Sequence, residues 1–356
     1  MINFIAPINN LGYGVAGLNI ARELYKLNNS TTLYPVARPE NVDKTGIIAA
    51  AINNQIHYDP SLPCVKLWHQ HDLQMRVGNG KYFGFPIFEL TEFNPQEKVS
   101  LSHCDEIIVC SKWAKNIILS QTNFGNDKVH VVPLGVDQDI FRPMLNSNPR
   151  RTTIFLNCGK WEKRKGHDVL VEAFNKAFNH SDDVELWMMC DNPFIGNVND
   201  QWRSLYKDSK LGNKIRIIPR QETQEDVYKI MCLSDCGVFP SRGEGWNLEV
   251  LEMMSCGKNV ITTNYSAHTE FCNNNNSKLI EIDNLETAFD GLFFDGKCGL
   301  WAEFADNQLE QLIEHMKEIH SKKQDNDLYA NLSGIETSKQ LSWEKAAEEL
   351  VNVCRV

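Results

Sequence analysis

Ser241-Arg242-Gly243-Glu244-Gly245-Trp246-Asn247-Leu248-Glu249-Val250-Leu251-Glu252-Met253-Met254-Ser255-Cys256-Gly257 is the stretch around which this chain is organised. An apolar run from Cys236 to Phe239 precedes it and ends at Pro240; two glycines then lead into a helical pattern that Gly257 closes. The segment reads as buried strand, glycine-rich turn and helix. Backbone N–H groups at the start of such a helix have no partner within it, and with the helix dipole they make a site for a phosphate. A diphosphate is the natural guest.

Two acids, Glu244 and Glu252, bracket the helix start with seven residues between them. The segment resembles the E-x7-E motif of retaining glycosyltransferases of the family-4 (group 1) type, which carry two Rossmann-like domains in the GT-B arrangement. By position, the resemblance implies that Glu244 lies beside a donor sugar. It likewise implies that the turn Gly245, Trp246, Asn247 and Leu248 meets the sugar and its phosphates, and that Glu252 accepts hydrogen bonds from the nucleotide ribose. An ordinary solvated helix face is the plainer alternative, since Glu is common on helices.

A second stretch, Gly159-Lys160-Trp161-Glu162-Lys163-Arg164-Lys165-Gly166, follows the apolar run 153–158 and precedes a helical pattern over 169–178. Basic residues at a strand end facing a helix start make a counter-charge for phosphates. In the family that the chain resembles, a basic residue directly after the glycine and a Lys directly before the next glycine grip the diphosphate, which points to Lys160 and Lys165. Many relatives have Arg at the first position; Lys160 keeps the charge without the bidentate fork. A solvated basic loop is the alternative.

The 356 residues, 42% hydrophobic and 23% charged, suit a globular protein of about two domains. No run approaches the ~20 apolar residues of a membrane helix, and residues 1–7 lack the basic flank and length of a signal peptide, so a cytoplasmic location is expected. Most of the eleven cysteines sit in apolar patterns without a C-x-x-C pair, which argues for reduced thiols and against zinc. Net charge of −10 makes nucleic acid an unfavourable partner.

In the first half, residues 2–6 read as a strand, 7–14 as a loop and 15–27 as a helix. Gly12-Tyr13-Gly14-Val15-Ala16-Gly17 satisfies G-x-G-x-x-G, but Arg38 stands where a dinucleotide site wants an acid. The resemblance instead gives Gly12 and Gly14 to close approach of the donor diphosphate; a tight turn without ligand is the alternative. Residues 65–68 read as a buried strand delivering His69 and His71, which are structural histidines or contacts to sugar or acceptor. Glu89 or Thr91 stands where many relatives carry a histidine that touches the donor sugar. Trp68, Tyr82 and Phe83 offer aromatic faces for an acceptor. Residues 104–111 repeat strand then helix, with Ser111 as N-cap.

Residues 129–143 resemble the family's crossing into its second domain, and the Pro, Asn and Arg cluster over 143–151 suits a linker. Residues 185–190, 215–219 and 259–263 read as further strands, Thr223 as a cap, and 305–323 as a helix. Arg220 sits where relatives hold the nucleobase. In GT-B enzymes the terminal helix, here within 341–350, returns to the first domain.

The expected fold class is α/β, with two Rossmann-like, doubly wound parallel sheets. Residues 1–145 together with 341–356 form an acceptor domain and residues 150–340 a nucleotide-sugar donor domain. The expected activity is retaining transfer of a sugar from a nucleotide-diphosphate donor, as co-substrate, to a soluble hydroxyl acceptor, with no cofactor and no metal. A phosphorylase of the same fold, a non-catalytic sugar-nucleotide binder and a nicotinamide oxidoreductase are the rivals.

Overall fold

The computed structural model describes residues 1–40, 43–144 and 150–355. Its strands build two six-stranded parallel sheets, and the chain divides into two units, Met1–Asp137 with Leu341–Val356, and Gln138–Gln340. Strands buried on both faces need near-continuous apolar runs, and parallel order needs a crossover between them. Both conditions recur along the chain.

The first sheet contains β1 (Asn3–Ala6), β2 (Thr32–Pro35), β3 (Cys64–Leu67), β4 (Tyr82–Phe85), β5 (Glu106–Val109) and β6 (Val129–Val131), in the order β2-β1-β3-β4-β5-β6. Helices α1 (Gly12–Leu27), α2 (Ile47–Asn53), α3 (Pro95–Leu101) and α4 (Lys112–Gln121) make its crossovers. Sequence direction reverses between β1 and β3, so the loops leaving these two strands open a crevice at their C-terminal ends.

The second sheet contains β7 (Thr153–Gly159), β8 (Val184–Cys190), β9 (Ile215–Ile217), β10 (Cys236–Phe239), β11 (Asn259–Thr263) and β12 (Lys278–Ile280), in the order β12-β11-β10-β7-β8-β9. Here the reversal lies between β7 and β10, paired as Cys236 to Phe155 and Gly237 to Leu156. Helices α5 (His167–Ala177), α6 (Gly196–Lys207), α7 (Gln224–Leu233) and α8 (Leu248–Ser255) join these strands. An antiparallel hairpin, β13 (Leu285–Phe289) and β14 (Asp295–Ala302), follows β12 and leads to α9 (Asp306–Gln324) and α10 (Leu332–Gln340). The last helix, α11 (Trp343–Cys354), belongs to the first unit and packs on α1.

Ser111 and Thr223 cap α4 and α7 as expected, their side chains accepting from Ala114 N–H and Asp226 N–H. Several expectations need correction. Helix α1 starts at Gly12, inside the stretch expected as loop: the Asn9 side chain accepts the Leu11 N–H at 2.9 Å and turns the chain early. A Cβ on Gly14 would lie 2.0 Å from Asn9 Oδ1, so this glycine serves close packing within the first helical turn. Tyr82 and Phe83 are fully buried, because β4 lies between β3 and β5 with both sheet faces covered; neither offers a face to an acceptor. The hairpin, α2, α3, α6 and α10 were not anticipated. Residues 145–149 of the expected linker lie outside the described residues.

Candidate functional site

The two loops at the β7/β10 reversal touch. Gly166, at φ +74°, caps the start of α5, and a Cβ there would lie 2.0 Å from the Pro240 carbonyl, so the basic loop and the signature turn meet only because this residue is glycine. Arg242 then locks them together. Its backbone N–H donates to Arg164 O at 2.7 Å, and its guanidinium holds Asp168 with two bonds of 2.8 and 2.9 Å.

Glu244 lies at the centre, 4% exposed. Lys165 Nζ stands 2.9 Å from Oε1 and Arg164 Nη1 2.9 Å from Oε2, while the same Arg164 nitrogen donates to Gly243 O. Arg164 Nη2 also reaches Glu162 at 2.9 Å, and Lys160 closes the chain at 3.1 Å from the other Glu162 oxygen. Burial opposes ionisation of Glu244, but Lys165 and then Arg164 outweigh it and hold the carboxyl well below the usual range. Burial likewise disfavours the Lys165 cation, yet Glu244 and Glu249 keep it charged. Three cations (Lys160, Arg164, Lys165) thus face three carboxylates (Glu162, Glu244, Glu249) at a strand edge, a cluster balanced in formal charge. Lys160 also lies over the Phe293 ring at the hairpin tip, 4.1 Å from its centroid.

The helix that follows starts at Leu248, with Asn247 as its cap in the left-handed region, φ 82°. Glu252, one turn on, is buried rather than part of a solvated face. Its carboxyl makes no hydrogen bond among the described residues, and burial with neighbouring Glu249 raises its pKa well above the ordinary value. Such a group needs a partner. Arg220 follows β9, the edge strand two positions from β10's neighbour β7.

At the first unit's reversal a different chemistry gathers. Tyr13, from the first turn of α1, exchanges hydrogen bonds with Ile87, donating to its O at 2.6 Å and accepting from its N–H at 2.9 Å. Its ring packs on Trp68 and His69, and His69 stacks on His71 at 5.3 Å. Burial, then the charge of Glu89, raises the Tyr13 pKa, so Glu89 borders this group. Thr91, half-buried, follows in the same loop, and Gly12 is exposed at the helix start.

Sequence reading missed Arg164 as a partner of Glu244, the Arg242 to Asp168 clamp, and His268. The signal for the first existed in the run of basic residues; the others meet their partners only through the fold.

Two doubly wound parallel sheets in one chain, each with its site at the reversal of strand order, define the GT-B class of fold. A glycosyltransferase of Rickettsia africae superposes with a TM-score of 0.72 at 18% identity, over 99% of this chain and 97% of that one. Anabaena HepE, in complex with UDP-glucose, gives 0.70 at 12% identity, over 99% and 98%. Residues 152–292 match the family described as glycosyl transferases group 1. A D-inositol 3-phosphate glycosyltransferase of Pseudarthrobacter chlorophenolicus is 27% identical over 144 residues, 38% of this chain and 34% of that protein. The chain spans between 34% and 42% of the length of the curated relatives it matches first.

Proposed function

We propose that this protein transfers a glycosyl group from a nucleoside diphosphate sugar to a hydroxyl of a soluble sugar, glycan or small metabolite, in the cytoplasm, with retention and without a metal ion. The observation that carries this reading is the Lys165, Arg164 and Glu244 cluster beside the start of α8 at a strand-order reversal. Transfer breaks the bond between the anomeric carbon and the diphosphate oxygen, which takes the electron pair. Lys160, Lys165 and the N–H groups of the Gly245 to Leu248 turn then stabilise that oxygen and its phosphates, a preorganised electrostatic effect that is often the largest catalytic contribution. The incoming hydroxyl forms its bond on the same face and passes its proton to the leaving phosphate.

Glu244, held ionised by its two cations, is suited to stabilise positive charge developing on the sugar. Glu252 has an unpartnered buried carboxyl, which the vicinal hydroxyls of a ribose would satisfy. The Tyr13, Trp68, His69 and His71 group, with Gly12, Glu89 and Thr91 around it, is the surface proposed for the acceptor and the sugar. Aromatic and imidazole faces suit the C–H face of a saccharide. The UDP-glucose bound by HepE supports a nucleotide-sugar donor. No helix among the described residues is long and apolar enough to cross a membrane.

The test is a panel of UDP-, GDP- and ADP-sugars read by thermal shift and donor hydrolysis, since a tight ligand raises the melting temperature by mass action. Stabilisation by one donor with slow hydrolysis is expected; an inert response to every donor would reject the reading. NMR of the first-formed product showing an inverted anomeric centre would reject retention alone.

A further inference from the structure

The short helical turn Ser266–Glu270, which follows β11, grips the signature turn at three points. Ser266 Oγ accepts the Glu244 N–H at 2.9 Å, Ala267 N–H donates to Glu244 O at 3.2 Å, and His268 Nε2 lies 3.0 Å from Asn247 Nδ2. His268 is fully buried, and its shorter polar contacts, those of 3.0 to 3.1 Å, fix its protonation; Thr262 Oγ1 also lies 3.5 Å from Nε2. Asn247 Oδ1 accepts the Val250 N–H, so the amide nitrogen is the group facing His268, and an amide nitrogen only donates. Nε2 must therefore accept, and Nδ1 must carry the proton.

The other side of the ring agrees. Thr262 Oγ1 donates to Phe239 O and Thr263 Oγ1 to Ser241 O, leaving both hydroxyls as acceptors. Nδ1 lies 3.0 and 3.1 Å from these hydroxyls and 3.1 Å from Thr263 O, an all-acceptor environment for an N–H.

What this imidazole holds is strained. Asn247 has φ 82° and ψ 80°, a conformation that costs a residue with a Cβ and persists only where neighbours impose it. It is also the residue that starts α8 and stands 3.5 Å from Glu244 through its amide. We propose that His268 is a positioning residue: as the neutral imidazole protonated on Nδ1, it holds Asn247 in the left-handed conformation and so sets the direction of the α8 N-terminus against Glu244. This deepens the donor-site reading given above and rests on it.

The experiment separates the two claims. Donor hydrolysis and UDP, GDP and ADP affinity are measured for His268→Phe and His268→Gln, each in the parent and in an Asn247→Gly background, with melting temperatures alongside. Glycine adopts positive φ freely, so Asn247→Gly removes the need for a restraint. In the parent background His268→Phe is expected to lower turnover at least tenfold, more than it weakens nucleotide binding, and His268→Gln, which keeps an acceptor, to recover most of that loss. In the Asn247→Gly background the His268→Phe loss should shrink below threefold. Equal losses in both backgrounds, the additivity expected of mere packing, would overturn the proposal. If His268→Phe fails to fold, ¹⁵N-histidine NMR of the unaltered protein decides: Nδ1–H at neutral pH supports the proposal, and Nε2–H or a doubly protonated ring overturns it. A parent protein that binds none of the nucleoside diphosphates would overturn the donor-site reading, while the ring's tautomer still judges the His268 contact by itself.

Discussion

Strands β5 and β10 begin alike. Asp105 and Asp235 each stand one residue before an interior strand, and each carboxylate accepts a backbone N–H from the neighbouring strand, Tyr82 at 2.7 Å and Ile154 at 2.9 Å. Each strand then runs to a serine, Ser111 or Ser241. In the first unit that serine caps α4 at once. In the second, six residues, Arg242 to Asn247, intervene before α8, Asn247 becomes the cap, and the buried Ser241 hydroxyl has no hydrogen-bond partner among the described residues. The units also differ in where they bury a carboxylate. Glu106 opens β5, at the opposite end of its sheet from the ligand edge, and is held near pKa 2: burial opposes ionisation, but Lys81, Lys128 and His130 outweigh it. Glu244 lies among the six inserted residues at the C-terminal edge. A buried ion cluster is therefore no functional signal by itself; its end of the sheet decides.

Acid should separate the units most. His167 and His268, both in the second unit, are buried neutral, with pKa values lowered to about 3 and about 4: burial is the largest cause in both, joined by the Lys165 and Arg164 charges and opposed by Glu244. The unfolded chain protonates such imidazoles near pH 6.5 and the folded one only near 3 or 4, so acid favours unfolding of the second unit from about pH 6.5 downward. The effect reaches on the order of a few kcal/mol by pH 4. The depressed carboxyl of Glu106 stabilises above the ordinary Glu range and gives way only below it. Hydrogen exchange followed from pH 7 to 4 should show second-unit amides losing protection first; simultaneous loss would break the comparison.

Next in size, Glu244→Gln should lower turnover by roughly 10²- to 10³-fold, the scale of removing one preorganised charge from a site. It should also lower the melting temperature, since buried Arg164 and Lys165 each lose one of their carboxylate partners. Steady-state rates with the donor identified by the panel decide this, and turnover near the parent level would count against Glu244. Lys165→Ala should weaken nucleoside diphosphate binding by roughly 1.5 to 3 kcal/mol, as expected for a hydrogen bond to a charged group. Calorimetry giving parent-like affinity in a folded variant would remove Lys165 from the phosphate site. The smallest change is expected for Glu106→Gln, whose cationic partners are partly exposed and can be rehydrated. A stability loss of roughly 1 to 2 kcal/mol with unaltered turnover is the outcome that sharpens the comparison.

The strands and the two acids of the signature stretch were legible because each is a local pattern: an apolar run, a glycine, an acid at fixed spacing. The run of bases around Lys160 and Lys165 was legible for the same reason, while the choice of those two residues came from the family resemblance. The partners that give these residues their properties were not. Arg164 looks like one more solvated base until Gly166 lets its loop meet Pro240, and His268 stands 21 residues from the asparagine it faces. Tyr82 and Phe83 show the converse error, since aromatic residues near a strand end announce a binding face or a core alike, and only the flanking strands decide. Helix α10, poor in apolar residues, and the hairpin, whose outer positions are exposed, carry no strong periodic signal, whereas α6 does carry an apolar stripe, Val198, Trp202, Leu205 and Tyr206, that sequence reading missed.

The pairing of α11 with α1 bears on the order of events at the ribosome. Gly135 lies so close to Ser342 and Trp343 that a Cβ would sit 2.2 Å from the Ser342 carbonyl carbon, and Val136 pairs with Ser342 as a β-bridge. The first unit thus draws its closing helix from the far end of the chain, after all of the second unit has been made. Domains usually fold as they emerge; this N-terminal unit must instead wait, with the α1 surface that α11 covers left open. A fragment ending at Asp137 is accordingly expected to be aggregation-prone, and a synthetic peptide spanning residues 341–356 to restore its solubility.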